Sequence, residues 1–158
     1  METGYYHSPA GTWEINAHQG AVTKIALCEA GKTDAESSND PVIQQAIRQL
    51  SEYFAGKRQS FELPLSISGT AFQEKVWDAL QQIPYGETIS YAQLAQAVGN
   101  PKACRAVGSA NGKNPIAIVI PCHRVIASDG TLGGYAYGLD IKKDLLGIEK
   151  DKEDSHFR

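Results

Sequence analysis

"SYAQLAQAVGNPKACRAVGSANG", residues 90–112, is the stretch on which the fold turns. Ser90 and Gln93 form a capping box, in which each side chain satisfies a backbone N–H that the first helical turn leaves open. The helix it opens, 91–98, stops at Gly99. Asn100 then caps a second helix whose first residue is Pro101, running to Gly112. Two short helices across one tight Gly-Asn turn predict a helix-turn-helix. The second helix is built from small residues, Ala103, Cys104, Ala106, Gly108, Ser109 and Ala110, with one long cation, Arg105, among them. Close packing on a neighbouring helix, with Arg105 on the wet face, accounts for that composition. So does approach to something narrow, such as a DNA minor groove about 6 Å wide. Arg105 could then take the place of an extruded nucleotide, because chemistry on a base requires the base to leave the stack.

Toward the C-terminus, "PIAIVI" (115–120) reads as an apolar strand and runs into "IPCHRVIA" (120–127), which sets Cys122 beside His123. A small buried thiol with a chance histidine neighbour is one reading; a nucleophile with its base is the other. A thiolate, not a thiol, is the effective nucleophile, and a free thiol with a pKa of about 8.5 is only slightly ionised at neutral pH. Neighbours on a strand point to opposite faces, so His123 fits a water relay to Cys122 better than direct contact. His123 needs an acceptor to fix its tautomer, and Glu149 on the last helix is a candidate. Tyr91 is a candidate proton donor to a leaving oxygen. A Gly-rich loop, "SDGTLGGYAYG" (128–138), separates this segment from a last helix, 141–150, capped by Asp140.

Toward the N-terminus, Thr70 with Gln73 caps a helix carrying Phe72, Val76, Trp77, Leu80 and Ile83 at helical spacing. "AGKRQSFELPLSIS" (55–68) has no helical period and reads as a linker with short extended pieces. Asp40 and Pro41 open a further helix with the stripe Val42, Ile43, Ala46, Ile47, Leu50, Phe54. Residues 30–40 read as a polar loop, and 12–27 as a hairpin about a His-Gln-Gly turn. The fold class is therefore α/β (α+β): an N-terminal domain, 1–66, a mostly helical domain, 67–150, and a polar tail, 151–158.

Net charge is −3 over 158 residues, divided as −3, +1 and −1 among those three parts. That argues against a simple electrostatic DNA binder, although the slight basic excess lies in the half that holds Cys122. Three widely spaced cysteines make no disulfide framework. No leader-like segment and no membrane-length apolar run are visible, so a soluble chain in a reducing, cytoplasmic compartment is expected. Cys28, His7 and His18 have no tight ligand spacing, and no metal is expected.

"IPCHRV" downstream of "ISYAQLA", "NPKACRAVG" and "NP", followed by "GGYAYG" and "LLGIE", resembles the O6-alkylguanine-DNA alkyltransferases, also called methylated-DNA–protein-cysteine methyltransferases. The resemblance covers 70–150 nearly continuously; 1–66 resembles the family's ribonuclease-H-like domain in layout only. It implies that Cys122 accepts the alkyl group, with His123 as base through a water, Glu149 orienting the histidine, and Asn114 bridging the strand and the Cys segment. Arg105 would replace the flipped base and Tyr91 would press on the adjoining phosphate. Val125, Tyr135, Ala136 and Tyr137 would line the base pocket, and Ser128 would lie near the guanine. Asn100, Lys102 and Arg105 would face double-stranded DNA containing alkylated guanine, bound from the minor groove by a monomer. The transfer would be stoichiometric and irreversible, with no cofactor. Two positions depart from the family pattern: Tyr137 stands where relatives have glycine, and Cys104 where they have alanine.

Two other classes compete. One is a non-catalytic lesion-binding module that recruits other repair factors; such alkyltransferase-like binders carry tryptophan in place of the cysteine, and here Cys122 is present. The other is a cysteine hydrolase, for which no Gly-flanked nucleophile turn is visible.

Overall fold

The computed structural model describes residues 1–28 and 37–150. Most of the 30–40 loop and the whole 151–158 tail lie outside the described residues. The chain forms two compact units: Met1–Ile67 with Pro115–Ala117, and Ser68–Asn114 with Ile118 onward.

The first unit is an antiparallel meander, β1 (Glu2–Ser8), β2 (Gly11–His18) and β3 (Ala21–Leu27), with helix α1 (Pro41–Phe54) packed on it. Period-2 alternation puts Trp13, Ile15 and Ala17 of β2 on the buried face, and Val22 and Ile25 of β3 join them. The β2–β3 turn is tight because Gln19 and Gly20 both take positive φ, 49° and 81°, the pattern of a hairpin turn whose twist matches its strands. Strand β1 was not anticipated: "TGYYH" has no clean alternation, and β1 stands out only through its pairing with β2. Asp40 accepts from the Val42 N–H and Pro41 opens α1, whose stripe of Val42, Ile43, Ala46, Leu50 and Tyr53 is buried. The free edge of β3 is closed by two short parallel bridges, Val22 to Leu65 and Ile25 to Ile116.

That second bridge corrects the expectation of a strand over 115–120. Only Ile116 pairs, and Ile118 takes φ 72°, a left-handed conformation that no β-branched residue adopts in a strand. Pro115 and Pro121 also lack the N–H groups a ladder needs. The apolar run is buried because it is a core crossing, not because it is a strand: Ile116, Ala117, Ile118 and Ile120 are all below 2% exposed.

The second unit is helical. Thr70 and Gln73 close a reciprocal capping box on α2 (Ala71–Leu80), and Ser90 and Gln93 do the same for α3 (Tyr91–Ala97). α4 (Cys104–Gly112) packs on both, and the Trp77 indole N–H donates to the Ala110 carbonyl at 2.9 Å. Asn100 does not cap α4, which starts at Cys104 after Ala103 with no side-chain cap. The Asn100 N–H is already given to Ala95 O and the Gly99 N–H to Gln96 O, with Gly99 at φ 81°. This is a Schellman termination of α3, and it claims Asn100 for the end of one helix rather than the start of the next. Strand β4 (Ile89–Ser90) pairs in parallel with β5 (Val125–Ile126), and α5 (Leu139–Lys150) closes the unit. Asp140 is not the cap of α5: the helix starts at Leu139, two residues before the expected 141, and Asp140 lies inside its first turn.

Candidate active site

Pro121 has φ −81° and ψ 65°, and the Cys122 N–H bonds back to Ile120 O at 2.8 Å. That is an inverse γ-turn, and a short 3-10 turn, Cys122–Arg124, follows it directly. The nucleophile candidate therefore sits on a bend that proline's fixed φ favours, not on a strand. Two amides hold the bend. Asn114 Nδ2 donates to Ile120 O at 2.6 Å, and Asn111 Nδ2 donates to Cys122 O at 3.3 Å. Asn114 thus ties the end of α4 to the Cys segment.

His123 is fully buried, and its Nε2 lies 2.5 Å from Glu149 Oε2. A carboxylate only accepts, so Nε2 carries the proton and the Nδ1 lone pair stays open. No described residue bonds to Nδ1. Glu149 is shared with Arg124, whose Nε donates to Oε1 at 2.7 Å and whose Nη2 donates to Oε2 at 3.2 Å, while Arg124 Nη1 donates to Ile83 O. The Gly86 N–H adds a longer bond to Oε1. Burial by itself would raise the Glu149 pKa, but the His123 and Arg124 hydrogen bonds and charges outweigh it and bring it to about 2. Burial lowers the His123 pKa against the pull of Glu149, so the ring is neutral and basic at Nδ1.

Burial raises the Cys122 pKa, offset in part by hydrogen bonding from Asn114, by the nearby Tyr135 hydroxyl and by the charge of Lys142. The Tyr135 hydroxyl makes no hydrogen bond of ordinary geometry among the described residues, so its influence on the thiol is one of proximity. At rest Cys122 is a thiol and needs a base to react.

The thiol opens on a cavity of about 200 Å³ lined by Tyr91, Gly108, Asn111, Gly112, Gly134, Tyr135 and Ala136. The β4–β5 pairing sets Ser90 beside Ile126, which carries Tyr91 to this wall. Gly133, at φ 70°, lies so close to the Tyr91 ring that a Cβ there would stand 3.2 Å from it. Burial raises the Tyr91 pKa, and a Cys122 thiolate raises it further, so Tyr91 keeps its proton. Val125 is fully buried and does not line the cavity, and neither does Tyr137, which packs edge-on against Tyr135 at 5.6 Å between ring centroids. Arg105, Lys102, Asn100 and Ser128 are all exposed, none of them on the cavity wall.

Three residues of the site were not singled out from sequence. Arg124 and Lys142 are long cations that normally stay in water, and Asn111 is one amide among several. The only available signal was position, since Arg124 follows the Cys-His pair directly. Among the described residues no cluster of His, Cys, Asp or Glu could hold a metal ion.

A helix-turn-helix stands beside a cavity with a buried thiol on its wall, next to a neutral histidine that a buried carboxylate holds. Two family models match the chain, the DNA binding domain of 6-O-methylguanine DNA methyltransferase over residues 71–151 and its ribonuclease-like domain over residues 1–67. The chain is 55% identical to the methylated-DNA–protein-cysteine methyltransferase of Methanosarcina acetivorans, covering 94% of this chain and 98% of that one. It is 46% identical to the constitutive enzyme of that name in Bacillus subtilis, covering 90% and 92%. Mycobacterium tuberculosis OGT, solved in complex with DNA, superposes with a TM-score of 0.87 at 41% identity, covering 96% of this chain and 94% of that one. The chain belongs to the 6-O-methylguanine DNA methyltransferase family.

Proposed function

We propose that this protein repairs DNA by moving the alkyl group of O6-alkylguanine onto Cys122, once per molecule and without a cofactor. The observation that carries this reading is the relay at the cavity: Cys122 at its wall, and beside it a neutral His123 with Nε2 held by Glu149 and Nδ1 open. His123 takes the thiol proton through a water. The thiolate sulfur attacks the alkyl carbon, an S–C bond forms, and the C–O6 bond breaks. The electron pair leaves with guanine, which is protonated, Tyr91 being the donor at the wall. The product is a thioether, and no group in the site can reverse it.

The flipped base enters between Tyr91 and the loop wall of Gly134, Tyr135 and Ala136, with Tyr137 supporting Tyr135 from behind. Arg105, exposed on the small-residue face of α4, fills the place the base leaves in the duplex. Asn100, Lys102 and Ser128 contact the DNA around it. The protein acts as a monomer on double-stranded DNA, from the minor groove, in the cytoplasm. No described helix is long and apolar enough to cross a membrane. A module that only marks lesions for other factors would have no use for the His123–Glu149 relay.

Intact mass after exposure to duplex DNA carrying O6-methylguanine decides the matter. One methyl per chain is expected, placed on Cys122 by peptide mapping, and Cys122→Ala is expected to gain none while still binding the DNA. A methyl on Cys28 or Cys104, or turnover beyond one per chain, would overturn the assignment.

A further inference from the structure

Lys142 is a buried cation that the transfer chemistry above does not use. It is 0% exposed, although lysine is almost never fully buried unless its charge is met. Among the described residues no carboxylate bonds to it. Its Nζ instead donates to three backbone carbonyls: Val125 at 2.6 Å, Leu132 at 2.5 Å and Gly134 at 3.0 Å. An ammonium has three N–H donors and a neutral amine two, so three acceptors at these distances call for the charged form. Burial lowers the Lys142 pKa to about 8, with a Cys122 thiolate raising it, which leaves the ammonium the main form at neutral pH.

The three carbonyls belong to two segments with different tasks. Val125 directly follows the turn that carries Cys122 and His123. Leu132 and Gly134 belong to the Gly-rich loop, and Gly134, Tyr135 and Ala136 of that loop wall the cavity. The loop's other described main-chain bonds are local, Ala127 to Thr131, Gly130 to Ala127 and Gly138 to Tyr135, and the Gly134 backbone also bonds to the Tyr91 hydroxyl. Gly130, Gly133 and Gly138 take positive φ.

We infer that Lys142 is a positioning residue: its ammonium clips the loop wall of the cavity to the nucleophile's segment and so sets the gap in which the alkylated base must fit. This rests on the alkyl-transfer reading for its kinetic consequence but not for its structural one. Misplacement of a reacting group by about 1 Å can cost a hundredfold in rate, so the loss of the clip should be visible in the transfer step.

The experiment compares the wild type with Lys142→Met, which keeps the length and apolar stem but removes all three donors, and with Lys142→Arg, which keeps donors and charge. Two quantities are read: hydrogen exchange along the chain without DNA, and the single-turnover rate of methyl transfer at saturating methylated duplex. In Lys142→Met, amides 131–138 should exchange at least about tenfold faster while those of α2 and β2 stay at wild-type rates, and transfer should slow at least about tenfold. Lys142→Arg should recover part of both. Unchanged exchange in 131–138 overturns the proposal. So does equal acceleration in every element, which would make Lys142 a general stabiliser, or faster loop exchange with transfer within twofold of wild type. If the wild type itself transferred no methyl, the alkyl-transfer reading would fail, and the exchange pattern would still decide the clip.

Discussion

The two units bury their polar groups differently. Among the described residues of the first, the buried polar ones are two neutral amides, Asn16 and Gln49. Gln49 satisfies both ends of its amide on one residue, donating to Glu62 O at 3.1 Å and accepting from Glu62 N at 2.9 Å. Around it lies an apolar core of Trp13, Ile15, Ile25, Ile43 and Leu50, in which each aliphatic side chain is worth about 1.5–3 kcal/mol. The second unit also buries two amides, Asn111 and Asn114, and adds His123, Arg124, Lys142 and Glu149. Desolvating ions is expensive, and well-packed apolar residues commonly do as well or better for stability. The first unit is built as a fold is built for stability alone. The second accepts four ionisable groups in its interior, and all four lie on the Cys122 turn or on α5, the helix that meets it. The contrast singles out the surroundings of Cys122 without reference to any relative.

The strongest way to break this contrast is to remove one buried charge and one buried amide and compare. Glu149→Gln leaves the Arg124 guanidinium and the His123 ring without their carboxylate. We expect a loss of about 3–5 kcal/mol from the second unit, as for other broken buried pairs, together with at least about tenfold slower methyl transfer. Gln49→Leu removes two hydrogen bonds to Glu62, whose carbonyl keeps the one from Gln45, and should cost about 0.5–1.5 kcal/mol, with transfer nearly unchanged. Denaturant midpoints and single-turnover rates read both. Equal losses of stability, or transfer that survives Glu149→Gln, would erase the distinction.

A weaker but sharper probe is acid. Folded His123 holds its pKa below the unfolded value of about 6.5, and folded Glu149 holds its own near 2 against about 4.3 unfolded. In both cases the unfolded chain takes up protons first as pH falls. Their contribution is therefore complete above about pH 6.5 and is lost progressively below it, first through His123 and then through Glu149. Hydrogen exchange of α5 amides should accelerate, relative to the intrinsic rate, between pH 7 and pH 4.5, while β2 amides change less. Parallel behaviour of α5 and β2 would show that the buried relay does not control the acid response.

The smallest effect is expected at Tyr137. It packs edge-on against Tyr135 and is not on the cavity wall, so it bears on the pocket through that second ring. Tyr137→Gly should raise the rate with O6-benzylguanine a few-fold relative to O6-methylguanine by letting Tyr135 recede. An unchanged benzyl-to-methyl ratio would mean that Tyr137 does not restrict the pocket.

What the sequence determined by itself is local or carried by an unbroken motif. Asp40 with Val42, Thr70 with Gln73 and Ser90 with Gln93 are contacts between residues two or three apart, and each helix start they mark stands where expected. "IPCHRV" with its flanks carries the family resemblance and marks Cys122 as the candidate nucleophile. What only the tertiary structure decided depends on partners far along the chain. Asn100 has the side chain of a cap, but α4 starts only at Cys104, with Ala103 at the cap position, while the Asn100 N–H closes the Schellman end of α3. The run 115–120 has strand composition, yet it splits between the two units and turns at Ile118. Arg124 and Lys142 look like surface cations, and their burial follows from acceptors 8 to 41 residues away. A side chain's propensity is a property of its near neighbours, whereas the cost of burying a charge is settled by whichever groups the folded chain brings to meet it.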